Sequence, residues 1–229
     1  MSEKILVVDS IKKNYGKSTV LKSASFECEK GKCIGIVGVN GSGKSTLLSI
    51  IAGIQKADGG SVLIDGTDIS KDSGCIGENV GYVPQSNPLI EDLTVKDNLQ
   101  LWYCDGPYNL KEELATGFLK TLEIDKYVNK TVKKLSGGMK KRVSIAIAVH
   151  NKPSLLLLDE PSAALDLIAK KAIRDYLKKY ISEGGTVVIV THDEEELDLC
   201  DEIYVVSDGK LKKIPVTLRG EQLLKEISL

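Results

Sequence analysis

The sequence predicts an α/β fold with a mainly parallel sheet, an antiparallel β subdomain and a small inserted helical subdomain. Residues 155–158 form an uninterrupted apolar run, residues 186–190 form a second one that begins with Thr186, and an amphipathic helical pattern over 167–181 separates them. Such runs are typical of strands buried on both faces of a parallel sheet and joined by a crossover helix. Residues 5–8 and 21–28 are apolar with partial alternation and lie between turn residues, which favours an antiparallel sheet.

The middle of the chain changes from strand patterns to helical patterns. Thr94 and Asp97 have the spacing of a capping box at the start of a helix that reaches Tyr103. Asn109 is expected to cap a second helix, whose apolar spacing continues to Leu122. Two or three helices inserted between strands predict a small helical lobe.

The remaining predicted elements complete a single domain over residues 1–229. Short strands are expected at 61–64 and 79–83, and a hairpin over 203–211 precedes a modest helical pattern. Because no low-complexity linker separates the helical lobe, we expect it to dock on the main body. The predicted division is a core formed by 1–84 and 136–229, with the helical subdomain over 85–135.

A glycine-rich loop follows the apolar run 33–37 and precedes a helical pattern. Its residues are Gly38-Val39-Asn40-Gly41-Ser42-Gly43-Lys44-Ser45-Thr46, which match the phosphate-binding pattern G-x-x-x-x-G-K-[ST]. Glycines let successive N–H groups turn inward around phosphate oxygens, and a helix N-terminus favours an anion. Lys44 is expected to contact the β- and γ-phosphates of ATP, and the Ser45 hydroxyl to bind Mg²⁺. The alternative is a turn that only joins a strand to a helix, but the spacing favours a P-loop NTPase core.

The composition excludes several classes of protein. The 31 basic and 32 acidic residues give a net charge of -1, so no overall field favours nucleic acid or an anionic membrane. No apolar run reaches the roughly 18 residues of a transmembrane helix, and the N-terminus lacks the hydrophobic core of a signal peptide. The 5 scattered cysteines and 2 histidines match neither a disulfide framework nor a zinc site. We therefore expect a soluble, cytosolic protein whose cysteines pack as small apolar residues.

Polar residues follow the predicted strands at the edge where ligands bind in α/β sheets. Asp159 is predicted to bind Mg²⁺, and Glu160 to polarise the water that attacks the γ-phosphate. His192 is placed to hydrogen-bond that phosphate, and Gln85 to complete the Mg²⁺ ligands. Tyr15 lies in a turn where its ring can stack on adenine. The alternatives are a polar strand exit, a surface histidine and a tyrosine that packs against an edge.

A second motif, Leu135-Ser136-Gly137-Gly138-Met139, identifies the family. Ser136 and the amides of Gly137 and Gly138 open a helix and form a second anion site. With both motifs, nearly the whole chain resembles the nucleotide-binding domain of an ATP-binding cassette (ABC) protein. The resemblance implies that this second site closes over the γ-phosphate held by an opposite subunit, so that two ATP molecules lie in a head-to-tail dimer.

The resemblance also implies a role for each candidate residue. Tyr15 stacks on adenine, residues 38–46 hold the phosphates, Gln85 contacts the metal, Asp159 and Glu160 are the metal and catalytic carboxylates, Ala164-Leu165-Asp166 is the D-loop that reaches across the dimer interface, and His192 is the switch histidine. Every catalytic position holds the expected residue type, which implies an active ATPase. Met139 stands where the family most often has glutamine.

Two functions are left open by the sequence. The first is the ATP-hydrolysing subunit of an ABC transporter, which forms a homodimer around ATP and works with separate transmembrane permease subunits at the cytoplasmic face. The alternative is a soluble ABC ATPase that drives an assembly such as an iron–sulfur scaffold, and the identity of the partner separates the two. A nucleic-acid partner is not expected, and the basic clusters Lys133-Lys134 and Lys140-Lys141-Arg142 are interpreted as solvated helix charges. The transported substrate and its direction are not set by this chain.

Overall fold

The computed structural model describes residues 3–71, 74–103, 109–163 and 165–228, except for the side chains of Cys75 and Glu78. The elements up to residue 83 are β1 (Lys4–Tyr15), β2 (Ser18–Glu29), β3 (Cys33–Val37), α1 (Lys44–Ile51), β4 (Gly59–Ile64), β5 (Thr67–Asp68), α2 (Gly74–Asn79) and β6 (Val80–Val83). The later elements are α3 (Val95–Tyr103), α4 (Leu110–Ala115), α5 (Phe118–Thr121), α6 (Gly137–Ala148), β7 (Leu155–Asp159), α7 (Leu167–Ser182), β8 (Thr186–Val190), α8 (Glu194–Leu197), β9 (Glu202–Ser207), β10 (Lys210–Ile214) and α9 (Gly220–Ser228).

The strands pair into one mixed sheet in the order β5-β4-β1-β2-β10-β9-β3-β8-β7-β6. β9, β3, β8, β7 and β6 run parallel, whereas β1 pairs antiparallel with β2 and β4. β10 is antiparallel to β9 and meets β2 where Lys210 lies opposite Ser23. The predicted combination of parallel and antiparallel parts is confirmed, and the two parts are continuous through β10.

The parallel strands are buried on both faces. Leu155 and Leu157 pack in the same cluster as α1 and the inward-facing side chains of β1 and β2. Leu156 and Leu158 point the other way and pack with side chains of α3, α6 and α7. Alternate residues of β7 therefore serve two cores, which explains why its sequence is apolar without interruption.

The predicted capping box at the start of the helical segment is confirmed. The Thr94 N–H donates to Asp97 Oδ2 at 3.0 Å, and the Asp97 N–H donates to Thr94 Oγ1 at 3.1 Å. These reciprocal bonds satisfy N–H groups that have no partner within the helix, so α3 begins at Val95. Our predicted stop for this helix, Asp105-Gly106-Pro107, lies outside the described residues.

The prediction of one continuous helix from Asn109 to Leu122 is wrong. Asn109 does cap α4, because its side chain accepts from the Lys111 N–H at 2.9 Å, but α4 ends at Ala115. A Cβ added to Gly117 would lie 2.7 Å from the Glu113 Cα, which shows how closely the chain folds back there. The Phe118 N–H then donates to Glu113 Oε2 at 2.7 Å and α5 begins. The apolar spacing continued through the break, but it did not reveal the change in backbone direction.

The described cysteines match their predicted structural role. Cys28 and Cys33 are buried, Cys200 is partly buried, and all three are free thiols. The Cys75 side chain and Cys104 fall outside the described part of the chain. Within the described ranges, no helix combines the length and apolar character needed to cross a bilayer.

Candidate active site

Four parallel strands end at one edge of the sheet, and predicted site residues follow each of them. β6 and β7 are in register at Val83 and Leu158, and β7 and β8 at Asp159 and Val190. β3 pairs in parallel with β8 on the side opposite β7, and it leads into the glycine-rich loop. The topology therefore brings together the residues after β3, β6, β7 and β8, although they are far apart in sequence.

The loop over residues 38–46 has the backbone geometry that its glycines allow. Gly43 has φ 104°, a left-handed conformation that side chains disfavour, and it immediately precedes α1. A Cβ on Gly38 would lie 2.8 Å from the Val206 carbonyl oxygen and 2.9 Å from Ser42 Oγ. Val39, Asn40 and Gly41 are exposed at the turn of the loop. The N-terminus of α1 therefore opens towards the end of the parallel strands.

Lys44 lies inside this loop rather than in solvent. Its side chain is buried, and Nζ donates to the carbonyl oxygens of Gly38 at 2.7 Å and Val39 at 3.0 Å. Burial lowers the pKa of the ammonium, while the carboxylates of Glu160 and Asp159 act in the opposite direction. A positive charge is thus held between the loop and the two carboxylates.

Asp159 and Ser45 provide oxygen atoms that fit Mg²⁺. Asp159 is only 2% exposed, and burial raises the pKa of its carboxyl, although a hydrogen bond with Ser45 partly offsets this effect. The Asp159 Oδ1 atom is buried and has no hydrogen-bond partner in the described structure. Carboxylate and hydroxyl oxygens suit this hard cation. The described residues contain no cluster of three or more His, Cys, Asp or Glu side chains able to hold a metal.

Glu160 is the centre of a polar group formed by three strand ends. It leaves β7 with φ 47°, an uncommon conformation for a residue with a side chain, and its N–H donates to the Val190 carbonyl oxygen at 2.9 Å. Gln85 Nε2 donates to Glu160 Oε2 at 3.0 Å. His192 Nε2 lies 3.7 Å from Glu160 Oε1. The predicted convergence of these side chains is therefore present, and a strained backbone turns the carboxylate towards the other two.

The surroundings of His192 favour its neutral form. Burial lowers the pKa of the imidazole, the Lys44 charge lowers it further, and Glu160 acts in the opposite direction. The side chain nevertheless remains 43% accessible. A neutral, accessible imidazole can both donate and accept hydrogen bonds near Glu160.

The second motif lies elsewhere, at the start of α6. Ser136 caps this helix by accepting from the Met139 N–H at 3.3 Å, and a Cβ on Gly138 would lie 2.8 Å from the Ala169 Cβ. Asp166 caps α7 by accepting from the Ala169 N–H at 2.8 Å. The contacts of Ser136, Gly138 and Asp166 are thus made where α6 and α7 begin. Ala164 of the predicted D-loop falls outside the described residues.

Tyr15 lies beside the end of the glycine-rich loop. Its hydroxyl accepts from Gln55 Nε2 at 2.5 Å, and bonds with Gln55 and Thr46 lower the pKa of the phenol. The residue is 49% exposed. The Lys13 ammonium lies over the ring, 5.9 Å from its centroid, and the hydroxyl links the residue through Thr46 to the loop.

Three buried charged residues were missed by the sequence analysis, two in α6 and one in α8. The interpretation of Lys140-Lys141-Arg142 as solvated charges is wrong for Lys141 and Arg142, which are 3% and 7% exposed. Arg142 pairs with Glu123 at 2.7 Å, and Lys141 donates to two backbone carbonyls beside β6. Their helical spacing from the buried residues of α6 was the available signal, because Lys141 lies one turn before Ile145.

Glu196 is the other missed residue. It is fully buried in α8 and accepts a hydrogen bond from the Thr191 hydroxyl on Oε2, and the side chain of Ser162 lies near the same carboxyl. Burial raises the pKa of this carboxyl. Glu196 thereby joins the segment after Glu160 to the residue before His192.

Comparison with known proteins gives one consistent family. Residues 16–163 match the model of the ABC transporter family. A Pyrococcus furiosus protein, provisionally described as an ABC transporter ATP-binding protein, is 38% identical over 99% of this chain and 85% of its own length. The linearmycin resistance ATP-binding protein LnrL of Bacillus subtilis is 35% identical over 90% of this chain and 68% of its own. The sulfate/thiosulfate import ATP-binding protein CysA of Synechocystis is 36% identical over 91% of this chain and 60% of its own.

Solved structures agree with these sequence matches. A dimeric ATP-binding cassette in a post-hydrolysis state, bound to ADP and Pi, is 31% identical to this chain with a TM-score of 0.83. The match covers 94% of this chain and 99% of that one. A second dimeric structure, described as a bacterial ABC transporter cassette, is 32% identical with a TM-score of 0.84.

Proposed function

Because this chain belongs to the ABC transporter family as an ATP-binding and ATP-hydrolysing subunit, we propose that two copies close around two ATP molecules to move a substrate through separate transmembrane subunits. The observation that carries this proposal is the convergence of Gln85, Glu160 and His192 beside the loop over 38–46. The relatives include proteins named for resistance and for import, which is consistent with our proposal that the partner subunits determine substrate and direction.

Glu160 has the central chemical role in this proposal. Its carboxylate orients and polarises the water that attacks the γ-phosphate, with Gln85 and His192 fixing its position through the contacts described above. Lys44 and the amides of residues 38–46 hold the phosphates, and Tyr15 stacks on adenine. Ser45, Asp159 and Gln85 are the proposed Mg²⁺ ligands, and the ion would neutralise charge on the transferred phosphoryl group.

The second copy supplies the rest of each site. Ser136, Gly137, Gly138 and Asp166 lie where α6 and α7 begin, and we propose that they contact the ATP bound by the partner subunit. Leu167 and Ile168 follow Asp166 directly and are 80% and 76% exposed. Exposed apolar side chains on this face support burial against another chain. In this arrangement the starts of α6 and α7 of each subunit face the loop over 38–46 of the other subunit. Both subunits of a homodimer therefore use the same surfaces, and the dimer is symmetric.

The proposed location follows from the proposed partners. The subunit lies at the cytoplasmic face of the membrane, bound there by the permease subunits, and no nucleic acid takes part. The predicted division into a core and a helical subdomain, 85–135, places the Gln85 segment at their junction. Movement of that segment is proposed to couple ATP turnover to the permease.

The variant Glu160→Gln tests the proposed catalytic residue. Glutamine retains the size and hydrogen-bonding reach of the side chain but cannot act as a carboxylate base. We expect ATP affinity within about twofold of wild type, a turnover reduced by at least about 100-fold, and an ATP-dependent dimer that persists during gel filtration. Turnover is measured by phosphate release, and mass by light scattering.

Lys179→Met is a matched control for surface charge removal. Lys179 lies on α7, pairs with Glu183 at 3.8 Å and is 60% accessible, so its loss should leave turnover unchanged. Near-normal turnover in Glu160→Gln would overturn the role of Glu160. Co-purification with a soluble scaffold and no multi-span membrane protein would overturn the transport proposal.

A further inference from the structure

Lys141 connects the helix of the second motif to the segment that carries Gln85. It lies on α6, about one turn after Gly137, and its side chain is buried beneath the helix. Its Nζ donates to the carbonyl oxygen of Pro84 at 3.0 Å and to that of Gln85 at 3.1 Å. One ammonium group thus holds the two peptide groups that flank Gln85, whose side chain extends to Glu160.

The location of this ammonium group is unusual for a helix lysine. A buried cation is costly unless hydrogen bonds and opposite charges compensate for lost water. The carboxylates of Asp159, Glu160 and Glu196 interact favourably with Lys141, and the two carbonyls take its hydrogen bonds. Its neighbour Lys140 points to the surface instead and pairs with Glu91 at 2.6 Å. Within the basic cluster, Lys140 and Arg142 therefore pair with carboxylates of Glu91 and Glu123, and Lys141 alone contacts the segment that carries Gln85.

We propose that Lys141 is a positioning residue for catalysis, which sets the Gln85 backbone so that the Gln85 side chain is held on Glu160. This inference rests on the proposed roles of Gln85 and Glu160. Lys141 and the residues that begin α6 belong to one rigid helix, so displacement at Ser136–Gly138 moves the ammonium and the Gln85 segment together. Contact of the second motif with a partner's nucleotide is thereby passed to Gln85 of the same chain.

The test compares Lys141→Met with Lys141→Gln, alone and combined with Gln85→Ala. Methionine keeps the length of the side chain but donates no hydrogen bond, whereas glutamine can donate to a backbone carbonyl. We expect Lys141→Met to lower kcat about tenfold with KM changed by less than about twofold, since the loss is in alignment for reaction. Lys141→Gln should recover most of that loss. Amide hydrogen exchange at 85–87, measured in the full chain without nucleotide, should speed up in the methionine variant.

The double variant separates positioning from general destabilisation. If Lys141 acts through Gln85, Lys141→Met should lower kcat no further once Gln85 is alanine, because coupled residues are not additive. Independent, multiplying losses would overturn the proposal, as would unchanged exchange at 85–87. If Lys141→Met does not fold, as judged by thermal unfolding, the same cycle with Lys141→Leu, which also removes the hydrogen-bond donor, decides by the same criterion.

The reference variants distinguish failure of this inference from failure of the proposed function. Normal kcat in Lys141→Met, together with a strong loss in Gln85→Ala, would overturn the positioning role alone. Normal kcat in Gln85→Ala would overturn the role of Gln85 on which both proposals depend. The surface variant Lys179→Met again controls for loss of a helix charge and should match wild type in kcat and exchange.

Discussion

The buried carboxyl of Glu196 shows how a single residue can join two sides of the candidate site. Its Oε2 accepts from the Thr191 hydroxyl, which in turn accepts from the Asp193 N–H at 2.9 Å. Ser162, in the turn that follows Glu160, lies near the same carboxyl and favours its charged form. His192 lies between Thr191 and Asp193, so Glu196 fixes the backbone on both sides of the imidazole. The sequence pattern did not mark Glu196, because it belongs to no recognised motif and does not directly follow a predicted strand.

We expect Glu196→Ala to lower the free energy of unfolding by about 1–3 kcal/mol, because the Thr191 hydroxyl loses its buried acceptor. The wild-type carboxyl should also make stability depend on pH. Burial raises the pKa of Glu196 in the folded state, so the stabilising contribution of its proton is complete below the ordinary glutamate value, about 4.3. The contribution is lost as pH rises through the folded-state pKa.

Glu196→Gln provides the comparison for that pH effect, since glutamine retains an acceptor oxygen and does not titrate. Urea denaturation between about pH 4 and pH 8 should show the difference in unfolding free energy shifting in favour of the glutamine variant as pH rises. A difference that is independent of pH over this range would contradict a raised pKa at Glu196.

The sequence analysis identified the candidate phosphate-binding and catalytic residues more completely than the buried residues that hold them in position. Lys44, Asp159 and Glu160 were recognisable because a phosphate loop and a leucine run ending in carboxylates have few other uses. Lys141 donates to backbone carbonyls and Glu196 accepts from a threonine hydroxyl. Because such groups occur throughout any sequence, they do not mark either residue as part of the site. Their roles depend on which segments pack together, and such contacts cannot be read from one helix pattern.

At the scale of elements, the break between α4 and α5 depends on Gly117. The folded chain brings this glycine against the Glu113 backbone, and the Phe118 N–H is satisfied by the Glu113 carboxylate. Periodicity describes which side of a helix is apolar, and Leu114 and Phe118 both pack on the same core. The apolar spacing therefore continues from α4 to α5, although the close approach of Gly117 to the Glu113 backbone interrupts the helix between them.

Gly117→Ala should destabilise the protein by about 1–3 kcal/mol, although alanine favours helix more than glycine does. The added Cβ would lie 2.7 Å from the Glu113 Cα, so the backbone must shift and α5 must move on the core. Thr116→Ala is the matched control, since Thr116 is exposed, and it should change stability by less than about 0.5 kcal/mol. Both are measured by urea denaturation. Equal stability of Gly117→Ala and wild type would show that one continuous helix is accessible at no cost.

At the scale of the whole molecule, the site exists because parallel strands end together. The apolar runs predicted β7 and β8 as buried parallel strands and placed their polar ends at one edge. They did not reveal that β3 lies between β8 and β9, or that β10 joins the parallel strands to β2. Strand order depends on pairings between distant segments, for which apolar patterns are nearly interchangeable.

The proposed head-to-tail dimer divides each ATP site between two chains. Lys44 of one subunit and the second motif of its partner form one site. The second motif of the first subunit and Lys44 of its partner form the other site. Lys44→Ala removes the phosphate-binding charge. Gly137→Asp adds a negative charge at an exposed helix start, where the nearest contact of a new Cβ is Leu165 at 3.8 Å. Each variant alone should therefore fold and lack both sites.

Mixing the two variants should restore activity if the sites are shared between chains. In a mixed dimer, the Gly137→Asp subunit supplies an intact Lys44 and the Lys44→Ala subunit supplies an intact Gly137, so one site is complete. With random exchange, about half of the dimers are mixed and each has one of two sites, so phosphate release should reach about a quarter of wild type. A site built within one chain has no complete copy in any of these dimers. Activity that stays at the level of the separate variants, after exchange is verified by light scattering and differential tags, would contradict the shared site.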